Sequence, residues 1–178
     1  KARLDITHHE HLDIEMLNEI ERCANEIVMN DYTIVSKFLP RSEADEKYGM
    51  TLYQGGAPKY KKIRIVEIPN IDAQACAGTH VKSTGIVKAV KLMRSERIQD
   101  GVERLEFVAG EEALEAARKE RIILEEAANV LNVAKEKVPE AAEKFVKEWK
   151  EMRSLVSKLE KRIADMESEE ILFEEVGS

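Results

Sequence analysis

The chain has 178 residues, of which 43% are hydrophobic and 35% are charged, and its formal net charge is −7. This composition is ordinary for a globular domain and argues against wholesale disorder, a fibrous repeat or an integral membrane protein. No window approaches about 18 consecutive apolar residues, so no membrane span and no membrane partner are expected. Two cysteines are too few for a disulfide framework, which favours a reducing, cytoplasmic location.

The sequence divides into two unlike regions at Gly110. Seven of the eight glycines and three of the four prolines lie before residue 111. From there to the end, Ala, Glu, Lys, Leu and Arg make up 44 of 68 residues, a bias typical of long helices or coiled coils. The same residues carry 12 basic and 18 acidic side chains, a net charge of −6. We therefore expect one domain at 1–110 and a helical region at 111–178.

The first elements in chain order are a strand, a helix and a second strand. Alternating apolar residues predict a strand at 2–6. Apolar residues at helical spacing predict an amphipathic helix at 13–29, on which Cys23 is expected to be a packed thiol. A short strand is expected at 33–38 and is ended by Pro40.

The rest of the first region is expected to complete an α+β domain. Ser42 followed by Asp45 is typical of a capping box, which predicts a short helix that ends at Gly49. Further strands are expected at 62–68, 86–93 and 102–108, the last two joined by a turn at Asp100 and Gly101. The predicted fold is therefore α+β, with a mixed or antiparallel sheet and two helices.

The second region predicts two helices with a heptad seam on the second. The first helix begins at Glu111, the pattern loosens at 132–138, and Pro139 suits the first turn of the second helix. Apolar residues then follow in steps of three and four, which is typical of a narrow helix contact. The seam consists chiefly of Phe145, Trp149, Met152, Val156, Leu159 and Ile163. The seam predicts a helical hairpin if it packs on the first helix, or a coiled-coil tail if it self-associates. Both kinds of packing are also compatible with the pattern.

The sharpest chemical signal is a Cys-x-x-x-His motif formed by Cys76 and His80. A thiolate and an imidazole at this spacing are able to hold one zinc ion, but a tight site needs two further ligands. Two other interpretations stay open: a buried thiol beside a surface imidazole, and a nucleophile with its base, for which no orienting third residue is evident.

The other three histidines are His8, His9 and His11, which directly follow the first predicted strand. They are interpreted mainly as partly solvated side chains where a strand leaves the sheet. The alternative is a second half of a metal site, in which His8 or His9 contacts what the zinc holds.

Four segments of the first region resemble the editing domain of alanyl-tRNA synthetases. In the family's order they read R-L-D-I-T-H, Y-G-M-T-L-Y-Q-G-G-A-P, I-D-A-Q-A-C-A-G-T-H-V-K-S-T-G and E-R-I-Q-D-G-V-E-R-L-E-F-V-A-G. The Y-Q-G-G loop and the residues around the cysteine resemble the archaeal type of these enzymes. The helical tail resembles the start of the dimerisation region of these enzymes. Threonyl-tRNA synthetases and freestanding alanyl-tRNA editing proteins share the core motif and are the nearest alternatives.

The resemblance implies zinc-dependent hydrolysis of serine or glycine from alanine tRNA. In the family, the zinc ligands are an upstream His-x-x-x-His pair and the Cys and last His of C-x-G-T-H, which are Cys76 and His80 in this chain. No His-x-x-x-His occurs in this sequence, so two of four expected ligands are present, and the isolated fragment is expected to be impaired. Thr79 is a pocket candidate for contact with the serine hydroxyl, with hydrogen bonding of its own turn as the alternative.

The resemblance also implies contacts with the acceptor end of alanine tRNA. Residues 47–97 hold ten Lys or Arg against three acidic residues, and this excess suits phosphate contacts, although a solvated face is the usual interpretation. The glycines of the Y-Q-G-G loop would let its backbone approach the terminal adenosine. The expected tRNA contacts are Gly55, Gly56, Lys61, Lys62, Arg64, Lys82 and Arg94.

Two hypotheses on function follow. The first is an enzyme fragment: the editing domain of an alanyl-tRNA synthetase with the proximal C-terminal helices, expected to form a homodimer through the seam. The second is a structural module in which the helical tail dimerises a larger protein. Both ends of the chain are expected to be truncated.

Overall fold

The computed structural model describes residues 1–54, 56 and 60–176, with side chains described up to residue 166 of the last helix. The chain divides into two compact units, Lys1–Ala117 and Arg118–Ser178. No helix of the described residues has the length and apolarity needed to cross a membrane.

The first unit confirms the predicted α+β class. Its strands are β1 (Ala2–Thr7), β2 (Val35–Pro40), β3 (Lys62–Ile68), β4 (Asp72–Ala75), β5 (Val90–Gln99) and β6 (Val102–Ala109), and its first helices are α1 (Ile14–Met29) and α2 (Arg41–Tyr48). The strands form two sheets of three: sheet 1 has the order β1-β6-β5 and sheet 2 the order β2-β3-β4. All named strand pairs are antiparallel, so the mixed sheet allowed by the sequence does not occur among the described strands.

The predicted first helix is confirmed as α1, with Asp13 as its N-cap. The Asp13 carboxylate accepts a hydrogen bond from the Met16 backbone N–H at 2.8 Å, which satisfies one free donor of the first turn. The prediction for Cys23 was wrong, because its thiol is exposed and lies 3.6 Å from a Glu19 carboxylate oxygen.

The predicted capping box of α2 was also wrong. The N-cap is Pro40 and no side chain caps the helix, so Ser42 lies inside its first turn. Because β2 runs directly into α2, the helix already begins at Arg41, so Ser42 has helical backbone and cannot act as the N-cap. The Arg41 backbone N–H instead donates to the Lys61 carbonyl at 2.9 Å, which fixes the helix start to the strand opposite.

Sheet 2 packs one face on α2 to form the main apolar core. The core residues are Ala44, Leu52, Ile63 and Ile65. At the edge of this face, Lys37 and the Tyr48 hydroxyl donate hydrogen bonds to Glu67 at 2.7 and 2.9 Å. These two contacts, the Lys37 bond foremost, hold the pKa of Glu67 below its usual value. On the opposite face of sheet 2, Val66 is buried whereas Phe38 is exposed.

The predicted strand at 86–93 begins later than expected, at Val90. Residues Thr84–Val87 form a 3-10 turn instead. The Thr84 hydroxyl donates to the Ile27 carbonyl at 2.6 Å, and the Gly85 backbone N–H donates to Asp31 at 2.9 Å. These bonds to the end of α1 outweigh the β propensity of the segment. The sequence also gave no indication of β4.

Sheet 1 has charged side chains paired in rows across its strands. Glu106 on β6 is fully buried and accepts hydrogen bonds from Arg3 at 2.9 Å and Arg94 at 2.6 Å, with Lys1 at 2.7 Å. On the next row of the same face, Asp5 pairs with Arg104 at 2.7 Å. The charges of these rows alternate along and across the sheet, so each buried charge has opposite charges as neighbours.

The second unit continues the helix α3 (Glu111–Leu131) and contains α4 (Val138–Val176), with Pro139 in its first turn. Both helix starts agree with the sequence. The seam of α4 is not buried in this chain: its residues are 47–62% exposed. The tail is therefore a long C-terminal helix rather than a hairpin with a packed seam.

The burial of Glu106 predicts acid sensitivity. Arg94, then Lys1 and Arg3, hold its pKa well below the usual range. This stabilisation is complete above the unfolded-state pKa of about 4.3 and is lost as the pH falls below it. We expect Glu106→Gln to lower the melting temperature at pH 7 and to flatten its decline between pH 6 and pH 3, measured by circular dichroism.

Glu96→Gln is the matched control, since Glu96 lies in the same sheet, is half exposed and pairs with Arg94 at 3.4 Å. It should change the melting temperature little. Equal effects of the two substitutions would contradict the role given to Glu106.

Candidate functional site

Cys76 and His80 lie on the loop that follows β4 at one edge of sheet 2. The Cys76 thiol and the His80 Nε2 are 3.2 Å apart. Cys76 is half-buried, whereas His80 is exposed. The structure thus brings the two residues of the predicted motif together at the surface.

Arg64 on β3 fixes the shape of this loop. One guanidinium nitrogen, Nη1, donates to the Cys76 carbonyl at 3.0 Å and to the Gly78 carbonyl at 2.6 Å. The Cys76 backbone N–H donates in return to the Arg64 carbonyl at 3.1 Å. Because these bonds bracket the loop, they set where the thiol and imidazole lie. This role was missed in the sequence, where Arg64 is interpreted only as a phosphate contact; the contacts are to backbone carbonyls and leave no sequence signal.

The donor pair has the spacing of two zinc ligands. Zinc bonds of about 2.3 Å to sulfur and 2.0 Å to nitrogen in a tetrahedral site separate the two donor atoms by about 3.5 Å. The observed 3.2 Å is close to that value. The described residues contain no group of three or more His, Cys, Asp or Glu side chains able to hold a metal ion. Cys76 and His80 therefore fit two positions of a zinc site, and this part of the chain supplies no third.

His8 and His9 directly follow β1, which is a strand of sheet 1. In the described structure they make no hydrogen bond with Cys76 or His80. The His8 backbone N–H donates to the Gly101 carbonyl at 2.9 Å, while its buried ring Nε2 has no partner among the described residues. The His9 ring lies beside the His8 ring, with the centroids 5.3 Å apart and the ring planes tilted by 48°.

His11 has a structural role at the far end of sheet 1. Its Nδ1 lies 3.1 Å from the fully buried Glu103, which also accepts a hydrogen bond from the Ser95 hydroxyl at 2.7 Å. The Ser95 bond, with His11 after it, holds the pKa of Glu103 below its usual value. Thr79, the remaining pocket candidate, is exposed on the Cys76 loop.

The predicted tRNA contacts are spread over both sheets. Lys61, Lys62 and Lys82 are exposed around sheet 2. Arg94 lies in sheet 1, where Glu106 and Glu96 already pair with it. Gly56 has a φ of +114°, a conformation that favours glycine, and Gly55 lies outside the described residues.

A cleft of about 270 Å³ opens beside Cys76 at sheet 2. Its lining residues are Phe38, Tyr60, Lys62, Ile63, Arg64, Ala75, Cys76 and Ala77. The two aromatic residues were missed in the sequence analysis. A signal existed for Phe38, which shares its side of β2 with Ser36 rather than with the core residues.

The contacts of Arg64 predict that the loop depends on this side chain. We expect Arg64→Ala to remove two bonds from a charged donor, each worth about 1.5–3 kcal/mol in comparable settings. The Cys76 amide should then exchange its hydrogen roughly tenfold or more faster, measured by NMR at neutral pH.

Lys62→Ala is the matched control, because Lys62 lies two residues earlier on the same side of β3 and is 5.8 Å from the centre of the Phe38 ring. It should leave exchange at Cys76 unchanged. Unchanged exchange in Arg64→Ala would show that the loop holds its shape without the guanidinium.

Comparisons with known proteins agree with the resemblance. The family described as the threonyl and alanyl tRNA synthetase second additional domain matches residues 63–106, which include Cys76 and His80. Alanine-tRNA ligase of Pyrococcus abyssi is 52% identical over 93% of this chain and 18% of its own length. That of Methanopyrus kandleri is 47% identical over the same shares, and that of Methanococcus vannielii is 42% identical over 100% of this chain and 20% of its own length.

The chain thus spans about a fifth of the length of these curated relatives. It is a homologue, over nearly its whole length, of a segment of archaeal alanine-tRNA ligases that includes residues of the second additional domain.

Proposed function

We propose that this chain is the editing segment of an alanine-tRNA ligase, which hydrolyses the ester between serine or glycine and the 3′ end of alanine tRNA. The observation that carries the proposal is the Cys76 and His80 pair, 3.2 Å apart within the residues that match the second additional domain. The similarity to archaeal alanine-tRNA ligases supports it. A cytoplasmic location stays a prediction from the low cysteine content.

Editing of this kind follows from a limit on substrate selection. A synthetic site built for alanine cannot exclude glycine by size, and serine differs from alanine by one hydroxyl group. A second pocket therefore has to discriminate between them after the amino acid has been attached. Thr79, which is exposed next to His80, is the residue proposed to hydrogen-bond the serine side chain.

Zinc is the cofactor proposed for this pocket. Cys76 Sγ and His80 Nε2 would hold one ion, and a His-x-x-x-His pair of the kind that the resemblance implies, which this sequence does not contain, is proposed to supply the other two ligands. When bound, the zinc ion would act as a Lewis acid toward the aminoacyl group or a water. The chain's own contribution is to position the two donors: Arg64 holds the loop carbonyls, and the thiol and the imidazole nitrogen lie 3.2 Å apart.

The metal proposal is tested on the chain extended at its N-terminus as in the matched ligases. We expect about one zinc per chain and hydrolysis of Ser-tRNA. Cys76→Ser should lose zinc and lower deacylation by more than about 100-fold, since even outer-shell changes cost up to that factor in metal sites. Zinc is measured by mass spectrometry and deacylation by release of labelled serine.

Cys23→Ser is the matched control, because this thiol is exposed on α1. It should leave both zinc and deacylation unchanged. Full zinc content and activity in Cys76→Ser would refute the assignment. Activity that survives chelation of zinc but not Cys76→Ser would support the alternative, a metal-free pair of nucleophile and base.

A second function, self-association, is favoured by the exposed seam of α4. Six large apolar side chains in heptad spacing are 47–62% exposed in the single chain. Burial of such side chains contributes about 25 cal/mol per Å² of apolar surface, which favours packing against another helix. We propose that a second copy of the chain covers this seam. The proposed partners of the chain are therefore alanine tRNA and a second copy of the chain itself.

The seam proposal predicts a dimer that dissociates when a charged residue replaces an apolar residue of the seam. Sedimentation velocity of the wild-type chain should give a dimer, and Trp149→Glu should give a monomer with its helical circular dichroism retained. Ser154→Glu adds the same charge to α4 outside the seam and should remain dimeric. A monomeric wild type, or a dimer that survives Trp149→Glu, would remove the proposal.

A further inference from the structure

His80 lies on a span of three residues between two fixed points of the backbone. Before the span, a guanidinium nitrogen of Arg64 donates to the Gly78 carbonyl at 2.6 Å. After it, the Ile34 backbone N–H donates to the Lys82 carbonyl at 2.9 Å. Three residues between fixed ends have few backbone conformations, because conformational freedom grows with the number of unconstrained residues. The two fixed points therefore decide where the imidazole lies.

The imidazole has little else to hold it in place. Among the described residues, its one hydrogen-bond contact is with the Cys76 thiol, at 3.2 Å. His80 is also exposed, so packing in the core does not fix its side chain. The short distance to the thiol thus depends on the backbone on both sides of His80.

The fixed point after His80 continues along a segment that is bound to the end of α1. The Thr84 backbone N–H donates to the Tyr32 carbonyl at 2.9 Å. The hydroxyl of the buried Thr84 donates to the Ile27 carbonyl at 2.6 Å and accepts from the Tyr32 N–H at 2.9 Å. Thr33 and Ser83 form an isolated antiparallel bridge between the same two stretches. These bonds place the segment beside the chain that leaves α1.

Asp31 supplies a carboxylate that binds this segment at two residues. Its Oδ1 accepts a hydrogen bond from the Gly85 backbone N–H at 2.9 Å. The Ser83 side chain is the second donor, and these two bonds, that of Ser83 foremost, hold the pKa of Asp31 below its usual value. The two donors flank Thr84, so the carboxylate fixes the direction of the segment as well as its distance from α1.

Both partners of this contact are adapted to it. Asp31 has a φ of +50°, in the left-handed region, which Asp and Asn adopt more often than most other residues with a side chain. A Cβ on Gly85 would lie 2.7 Å from Asp31 Cγ, closer than real Cβ atoms approach, so glycine is required for the contact. A residue in a rare conformation persists only where its surroundings hold it there.

We propose that Asp31 is a positioning residue of the metal site: by binding residues 83–85, it keeps the His80 imidazole beside the Cys76 thiol. The inference rests on the proposed function, because that function gives the pair a zinc ion to hold. Arg64 and Asp31 have complementary roles, since Arg64 holds the loop before His80 and Asp31 holds the chain after it.

The first test measures the geometry of the pair in the full chain without a metal. The probe is the nuclear Overhauser effect between the His80 ring protons and the Cys76 β-protons, measured by NMR. Asp31→Gly removes the carboxylate but permits the left-handed backbone, and it should lose this effect. Asp31→Asn keeps an oxygen acceptor and should retain it, with circular dichroism to show that both variants are folded.

Asp13→Gly is the matched control, because Asp13 binds a backbone N–H at the other end of α1. It should lower the stability of the fold and retain the Overhauser effect. An effect that survives Asp31→Gly, or that is lost equally in Asp13→Gly or Asp31→Asn, would overturn the inference. So would a wild-type chain that lacks the effect.

The second test measures the zinc affinity of the N-terminally extended chain by competition with a chelator. Asp31→Gly should weaken zinc binding by roughly 10- to 100-fold, the range for residues that orient a metal ligand, and Asp31→Asn should restore it. In a His80→Ala background, Asp31→Gly should cause no further loss, because the imidazole that it positions is gone. An equal loss in that background would show that Asp31 acts on the fold as a whole and would overturn the inference.

The two tests separate this inference from the proposed function. An Overhauser effect that is lost in Asp31→Gly, in a protein whose extended wild-type chain binds no zinc, would retain the positioning role and refute the zinc site. Zinc that Cys76→Ser loses but that Asp31→Gly binds as tightly as the wild type would retain the zinc site and refute the positioning role.

Discussion

The interaction on which the site depends is the hydrogen bonding of Arg64 to the Cys76 loop. The buried side chains of Ile63 and Ile65 pack β3 against the core. Because successive residues of a strand alternate between faces, Arg64 lies on the opposite side of the sheet. From there one nitrogen reaches the carbonyls of Cys76 and Gly78. The position of the thiol and imidazole thus depends on the packing of β3, through the Arg64 side chain that this strand carries. A metal or ligand bound at the loop would in turn stabilise the same strand, since binding to the folded state alone raises stability.

Sheet 1 stabilises the domain by different means. It places Glu103 and Glu106 in fully buried positions, where an unpaired carboxylate is costly. Each is compensated by close donors: Ser95 and His11 for the first, and a set of basic side chains for the second. Glu106 on β6 pairs with Arg3 on β1 and with Arg94 on β5, so one buried carboxylate contacts both neighbouring strands. The price is sensitivity to acid.

The sequence predicted the elements whose signal is local. Apolar residues at helical spacing predict α1, and a strand closed by Pro69 and Asn70 is predicted at 62–68. The sequence gives no indication of β4, because residues 72–75 have little strand propensity and pair only because β3 lies beside them. Tertiary bonds likewise moved the start of β5. In the site, the spacing of Cys76 and His80 together with the family resemblance indicated the pair, whereas the carbonyl contacts of Arg64 and the cleft at Phe38 depend on strands brought together by the fold.

The central claim is that Cys76 and His80 are ligands of one zinc ion. Zinc X-ray absorption of the N-terminally extended chain tests it most directly. The account predicts one sulfur at about 2.3 Å among nitrogen ligands, lost in Cys76→Ser and retained in Cys23→Ser. A ligand shell without sulfur in the wild type, or a sulfur that remains in Cys76→Ser, would contradict it.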